Sequence, residues 1–566
     1  MRNFLPTRKE WPILLDNLTR KEKNVLLSLF ALALVSGTAA LVVIDRAYST
    51  AVPAYGGTLT EGMVGTPRFI NPLLALSDVD RDLVRIIYAG LMKPSPNGEL
   101  VPQLAERYEV LENGLLYTFY LKENLTWHDG EELTADDVAF TIKLAQNPLL
   151  RSPKFANWEG VTVEVAGPLE IRFRLKRPYA PFLGNATLGI MPKHIWENIS
   201  QDEFPSSNYN IEPVGSGPFF VDEIARSQAG AITSYLLKRF SKYRPQKAYL
   251  KSLAVKFFGS EKELAGAIEN GLVETAGVER AETIHADRIL ELNVPRVFGV
   301  FFNQDAYEAL RDKALREALT KATDRDRIIK EARGGYARAT SLPIPPGSFA
   351  HASTLEDVVY DPEGARAILE KAGYKDSDGD GIIEKIKGKE KTKISFALST
   401  VQAPELVKVG ELLKSMWREV GVEVDLRIFE KGDFEQDILR PRAYDALLYG
   451  LVLGYDADPF GFWHASQIRH PGSNVARYAS TRVDKLLEDA HTATDRDKRE
   501  ELYKFFQEEI SKDKPAVFLY SPSFLYVVPK RLGGINTQFI ASPQERFSSI
   551  ASWYVDTKSV WNILLR

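Results

Sequence analysis

Twenty consecutive uncharged residues, Val25 to Ile44, constrain this chain more than any other feature. As a helix they extend about 30 Å, the thickness of a bilayer's hydrocarbon core. A buried soluble helix fits neither that length nor the basic flank. Arg2, Arg8, Lys9, Arg20, Lys21 and Lys23 precede the segment. The positive-inside rule then keeps residues 1–24 cytoplasmic and puts everything after Ile44 outside. A cleaved signal peptide is the competing reading, with Val52-Pro-Ala54 as a poor cleavage site. Secretory apolar regions are shorter, about 7–15 residues, and follow a short basic start. An uncleaved single-pass anchor over 25–44 is therefore expected, with 45–55 as a tether. The bulk of the chain would lie on the cell-surface or periplasmic side.

At 566 residues the chain is too long for one core, so several domains are expected. A net charge of −4 leaves no basic footprint, and no nucleic-acid partner is expected. Cysteine is absent, which removes disulfides, thiol nucleophiles, Cys-ligated metals and a lipid-attachment cysteine together. The seven histidines (128, 194, 285, 351, 464, 470 and 491) show no HExxH or HxH spacing, and no GxSxG elbow occurs. Neither a zinc enzyme nor a serine hydrolase is indicated; no catalytic residue, cofactor or required metal is expected. With 29 Phe, 23 Tyr and 8 Trp the chain can line a large pocket as well as fill cores.

Patterning along the body mixes strands and helices. Tyr108–Val110 and Leu115–Leu121 read as a hairpin around Glu112-Asn-Gly114, and Val161–Val165 with Leu169–Leu175 as a second pair. Asp80–Leu91 has helical apolar spacing, as does Asp312–Ala332 with a break at Thr323-Asp324. Asp361–Tyr374 is a helix with a glycine stop signal. Ile394–Ser399, Glu405–Val420 and Val422–Phe429 alternate strand, helix and strand, which predicts α/β architecture with a parallel pair. Ala516–Tyr520 and Leu525–Val528 are strand-like.

The most informative motif is Thr126-Trp-His-Asp-Gly-Glu-Glu-Leu-Thr-Ala-Asp-Asp-Val138, continuing to Lys143. It reads as a strand end, an Asp-Gly turn and a helix starting at Thr134, with Asp137 in the capping-box position. Its order of residue types resembles the W-x-D-G-x-x-x-T-A-x-D-V signature of family 5 extracellular solute-binding proteins, the dipeptide- and oligopeptide-binding components of ABC importers. Val214-Gly-Ser-Gly-Pro-Phe219 is similar to that family's G-[ST]-G-P-[FY]; it lacks the third glycine or the Lys-Ser/Thr of a phosphate loop. Phe302-Asn303 followed by Leu315-Arg316 to Ile328 is in register with a third family pattern.

The resemblance implies an α/β, bilobal periplasmic-binding-protein-like clamp with an extra domain. Domain I would be discontinuous (56–91, 211–295 and 516–566), domain II would span 92–210 and domain III 296–515. The ligand would be a short peptide held between the lobes of a monomer and delivered to ABC permease subunits. Tyr444 to Gln467 is a hydrophobic strand ending in an acidic, aromatic loop, where α/β domains place ligands. In peptide-binding members this strand pairs with the peptide backbone, and an acid four residues before a proline anchors the peptide's ammonium. Here that position is Tyr455, and the acids are Asp456 and Asp458. A tyrosine cannot neutralise an ammonium at neutral pH. The expected ligand contacts are Phe69, Asn303, Leu451, Leu453, Tyr455, Asp456, Asp458, Trp463 and His464, with Phe460 and Phe462 as further apolar walls.

Asp376-Ser-Asp-Gly-Asp-Gly381 has alternating oxygen ligands, and Glu384 offers a partial one. The twelfth position is Lys387 where an EF-hand needs a bidentate Glu, so calcium here would be structural. Tyr455 also leaves room for a non-peptide ligand such as an oligosaccharide, metal chelate or haem. A surface hydrolase would rest on the 455–458 acids alone.

Overall fold

The computed structural model describes residues 17–561, apart from 245, 281–283, 285–287, 358 and 388–389. The N-terminal part of the basic segment 1–24, up to residue 16, lies outside the described residues, as do 562–566. Arg20–Tyr48 is one helix of 29 residues, about 43 Å long, and no residue of its apolar window Arg20–Leu41 is buried against the body. Thr19 and Glu22 cap it reciprocally, and the Thr38 hydroxyl donates back to Leu34 O, so this polar group needs no outside partner. The segment expected to be a tether is ordered. Ser49–Pro53 pairs antiparallel with Thr557–Trp561, and Trp561 Nε1 donates to Asp45 across 2.9 Å.

One sheet of twelve strands runs through the body. Its central member, Ala516–Val528, is a single strand of 13 residues rather than the two expected. Ala516–Tyr520 pairs with Arg296–Phe302, which continues through Ala446–Val452 to Ser395–Val401 and Glu423–Phe429. Leu525–Val528 pairs instead with Thr275–Val278 and Arg288–Asn293, leading to Gly56–Val64 and the antiparallel strands beyond. The chain thus passes between lobes in the middle of this strand, at Ser521–Ser523. The other passage, near Val294, lies beside it: Ser521 Oγ donates to Val294 O. Ser395–Val401 and Glu423–Phe429 are parallel, joined by the helix Pro404–Glu419, as the strand–helix–strand pattern predicts.

Apolar periodicity places the cores. Leu406, Val409, Leu413 and Trp417 of that helix cover one face of the second lobe's sheet; Val483, Leu487, Tyr503 and Phe506 cover the other. A separate four-stranded antiparallel sheet (105–111, 116–121, 170–174 and 162–167) packs Phe119, Ile171 and Phe173 under the helix Ala135–Ala145. That helix begins where the sequence predicts, with Thr134 N donating to the Asp137 carboxylate at 2.9 Å. The other Asp137 oxygen accepts from Lys193 N. His128 bridges the signature to the Gly-Ser-Gly motif, its Nε2 donating to Gly217 O and its Nδ1 accepting from Gly215 N. Both glycines are required by close approach, since a Cβ on Gly215 would lie 2.1 Å from Ile87 O. The two family motifs are therefore one packed corner.

Candidate ligand-binding cleft

The cleft is built from three elements that arrive from distant parts of the chain. The strand Ala446–Val452 is paired along its length with Arg296–Phe302, but on its other side only Ala446 and Leu447 are matched by Ser395–Val401. Beyond that point it has no strand partner on that side among the described residues, and it runs directly into Tyr455 and Asp456. The helix Asp78–Ile87 shows Arg81 and Arg85, four residues apart, on one face and buries Asp82, Leu83 and Ile86 on the other. The segment Pro543–Ser552 carries Glu545 and Arg546. Arg546 turns inward to a buried pair of acids, bonding both oxygens of Asp82 (2.9 and 2.6 Å) and Glu61 at 3.0 Å. A buried charge needs such partners, and this clamp fixes the segment so that Glu545 faces the opposite way.

Tyr455 donates its hydroxyl to Glu545, joining the two lobes. Glu545 also accepts from Ser542 Oγ at 2.9 Å and Ala541 N at 2.8 Å. Burial pushes the Glu545 carboxyl above its usual range and the Tyr455 phenol well above its own. Asp456 pairs with Arg499 at 3.0 Å; burial raises its carboxyl and the guanidinium opposes this. At the rim Arg496 pairs with Glu99 at 2.6 Å, and the rings of Tyr179 and His491 lie 4.9 Å apart.

Two cavities meet at Tyr455. The larger, about 490 Å³, is lined from both lobes by Tyr108, Tyr117, Phe349, Asp456, Arg496 and Arg499. The smaller, about 150 Å³, is lined by Arg81, Arg85, Lys154, Asn185 and Glu545. Sequence reasoning missed Arg85, Lys154, Glu545 and Arg499, because no local signal links residues that are so far apart in the chain and meet only in the folded protein.

The other expected contacts are placed elsewhere. Asp458 serves its own lobe, accepting from Phe460 N (3.0 Å) and Tyr503 OH (3.3 Å) and bonding His491 Nδ1 (3.0 Å). Trp463 is buried in the second lobe's core against Phe301, Phe506 and Phe518, because the short helix Phe460–Trp463 turns it inward. Phe460 stacks on His464 rather than on open space, and Phe462 packs against the same core. His464 also bonds Ser466, while Leu451 and Leu453 are core. Asn303 is buried and closes a turn, accepting from Asp305 N and donating to Arg442 O. Phe69 is half-buried and lines neither cavity at Tyr455; its backbone N–H bonds Asp80. In the acidic loop the oxygens of Asp376, Asp378 and Asp380 converge, but Lys393 places its ammonium between Asp378 and Asp380. Glu384 is turned away to accept from Ser377 N at 2.8 Å.

Two lobes joined by adjacent strand passages, with cavities lined from both, define a periplasmic-binding-protein-like clamp. The chain belongs to the bacterial extracellular solute-binding proteins, family 5, whose model matches residues 99–470. It is similar to the oligopeptide-binding protein AppA of Bacillus subtilis (strain 168), 28% identical over 520 residues, covering 90% of this chain and 93% of that one. The structure of AppA in complex with a nonapeptide matches with a TM-score of 0.65 at 27% identity, over 89% of this chain and all of AppA's 100%. NikZ from Campylobacter jejuni in complex with Ni(L-His) matches with a TM-score of 0.66 at 25% identity, over 88% and 99%.

Proposed function

We propose that this protein is the membrane-anchored, extracytoplasmic binding component of an ABC importer, capturing short peptides between its lobes and delivering them to permease subunits. The observation that carries this reading is the unpaired side of Ala446–Val452 leading into a cavity lined by both lobes. An extended peptide can add to such a strand through backbone bonds, which gives sequence-tolerant affinity. Of the residues singled out in the sequence, Tyr455 and Asp456 are proposed as ligand contacts. Domain III is proposed to extend past residue 515 to about 521, where the central strand changes partners; the division is otherwise as expected from the sequence, and the body is proposed to act as a monomer. The helix Arg20–Tyr48 is proposed as a retained anchor, because cleavage near Val52–Ala54 would remove the partner of Thr557–Trp561.

Ligand-stripped protein loaded with mixed di- to pentapeptides should melt a few degrees higher, since a ligand bound only to the native state stabilises it by about 2.7 kcal/mol at a hundredfold excess over Kd. No shift at millimolar peptide would remove the peptide assignment. A second reading, a non-peptide ligand in the same cleft, is favoured by Tyr455 at the ammonium-anchor position. Native mass spectrometry of co-purified ligand separates the two, peptide ladders excluding the second.

A further inference from the structure

We infer that the ligand of this cleft carries an anionic group, a carboxylate, which seats in the smaller cavity against Arg85 and Lys154. The inference rests on reading the cleft as the ligand site and adds the chemistry of what binds at the Tyr455 end. The two cavities differ in charge: the charged groups lining the larger one balance, since Arg496 pairs with Glu99 and Arg499 with Asp456. The smaller cavity is lined by three cations, Arg81, Arg85 and Lys154, and by one carboxylate, Glu545. Glu545 is held by Tyr455, Ser542 and Ala541 and is the one counter-charge near Arg85 in this cavity, whose guanidinium opposes the burial-driven rise of its carboxyl, so one carboxylate faces three cations. Arg81 leans on exposed Asp78 at 3.7 Å, and Arg85 bonds only the neutral Ser548 hydroxyl, at 3.1 and 2.9 Å. The Lys154 ammonium has no hydrogen-bond or ion-pair partner among the described residues; only the backbone of this residue is bonded, its N–H to Ser152 Oγ at 3.1 Å.

Holding like charges together in a half-enclosed space is unfavourable by Coulomb's law unless a counter-charge arrives. Burial, with Arg81 nearby, lowers the Lys154 pKa, in keeping with an ammonium that lacks its anion. A guanidinium and an ammonium flanking one cavity suit a carboxylate. A free ligand ammonium would meet the surplus of positive charge, and the residue in line to receive it, Tyr455, has its hydroxyl committed to Glu545. A cavity of about 150 Å³ holds a carboxylate with a few attached atoms. For a peptide this means an acidic side chain or the C-terminal carboxylate at this end.

The test uses full-length protein in detergent, stripped of ligand, and isothermal titration with matched pairs: Ala-Glu-Ala against Ala-Gln-Ala, and Ala-Ala-Ala against its C-terminal amide. Propane-1,2,3-tricarboxylate serves as a non-peptide probe. At least one acid should bind about tenfold more tightly than its amide, and Lys154→Gln should abolish that preference without lowering the melting temperature of the stripped protein. Equal binding of acid and amide in both pairs, or a ratio untouched by Lys154→Gln, would overturn the inference. If no peptide binds but the tricarboxylate does, and loses affinity in the variant, the peptide reading fails and the anionic site stands. If none of the probes binds, the anionic site falls too.

Discussion

Two acid-rich turns in this chain each follow extended backbone and precede a short run of helix, and their polar groups are satisfied in opposite ways. In the corner Thr126–Lys143, Asp137 accepts from Thr134 N and Lys193 N while His128 bonds Gly215 and Gly217, all within one lobe. In the loop Leu453–His464, Tyr455 reaches Glu545 in the other lobe, and Asp456 is held by Arg499 at the edge of the cleft. A group satisfied inside its own lobe is indifferent to closure. A group satisfied across the gap makes closure part of its own energetics. The first turn packs the scaffold; the second ties its own polar groups to the other lobe.

The sharpest way to break the corner is Gly215→Val. Its Cβ would meet backbone Ile87 O, which cannot move aside as a flexible side chain would. Overpacking of this kind costs about 3 kcal/mol or more. Urea unfolding should show that loss, while peptide affinity per folded molecule should be unchanged.

Acid tests the same corner more gently. Burial lowers the His128 pKa from 6.5 to about 4, so the imidazole stays neutral in the fold where the unfolded chain takes up a proton. The unfolded state then binds more protons, so stability is full above about pH 6.5 and declines as pH falls toward 4. This one group contributes up to about 3 kcal/mol to that decline. His128→Gln should start less stable but lose less between those limits; equal slopes would remove His128 as the cause.

Across the cleft, Tyr455→Phe removes the hydroxyl from buried Glu545 and leaves Ser542 and Ala541 as its partners. The loss should be about 1–2 kcal/mol, in the range of a hydrogen bond to a charged or partly charged group. It should also loosen the closed form, which small-angle scattering of ligand-free protein would report as a larger radius of gyration. No change in radius would mean that the contact does not hold the lobes.

What was legible in the sequence follows the same division. Helix starts, the hairpin at Glu112–Gly114 and the break at Thr323–Asp324 could be read because each is a local pattern; the helices Lys313–Lys321 and Arg325–Arg333 end and begin there, with Asp324 as the cap. The central strand reads as two in the sequence because Ser521-Pro-Ser523 interrupts its apolar run. Pro522 is tolerated where the strand leaves one set of partners for another and faces the short strand Ala337–Ala339. Trp463 reads as a ligand contact in the sequence because an aromatic beside acids resembles a binding wall. Only the tertiary fold shows that a four-residue helix carries it into the core. Glu545 lies 90 residues from Tyr455, and no periodicity spans that distance.

The smallest effect is expected at the rim, from Arg496→Gln. Its pair with Glu99 crosses the lobes like the Tyr455 contact, yet both side chains are more than half exposed, at 55% and 56%. Water already solvates such charges, and two long side chains must be ordered to bring them together, so exposed pairs are worth about 0–1 kcal/mol. Unfolding should therefore move by less than about 0.5 kcal/mol. Whatever difference exists between wild type and variant in ligand affinity should vanish in about 1 M salt, where the Debye length shrinks to about 3 Å. The Tyr455–Glu545 bond, being buried, should keep its contribution under the same conditions. A salt-resistant loss in Arg496→Gln would show that the rim pair is desolvated in the closed protein and would move it from the solvent-screened side of the comparison to the buried one.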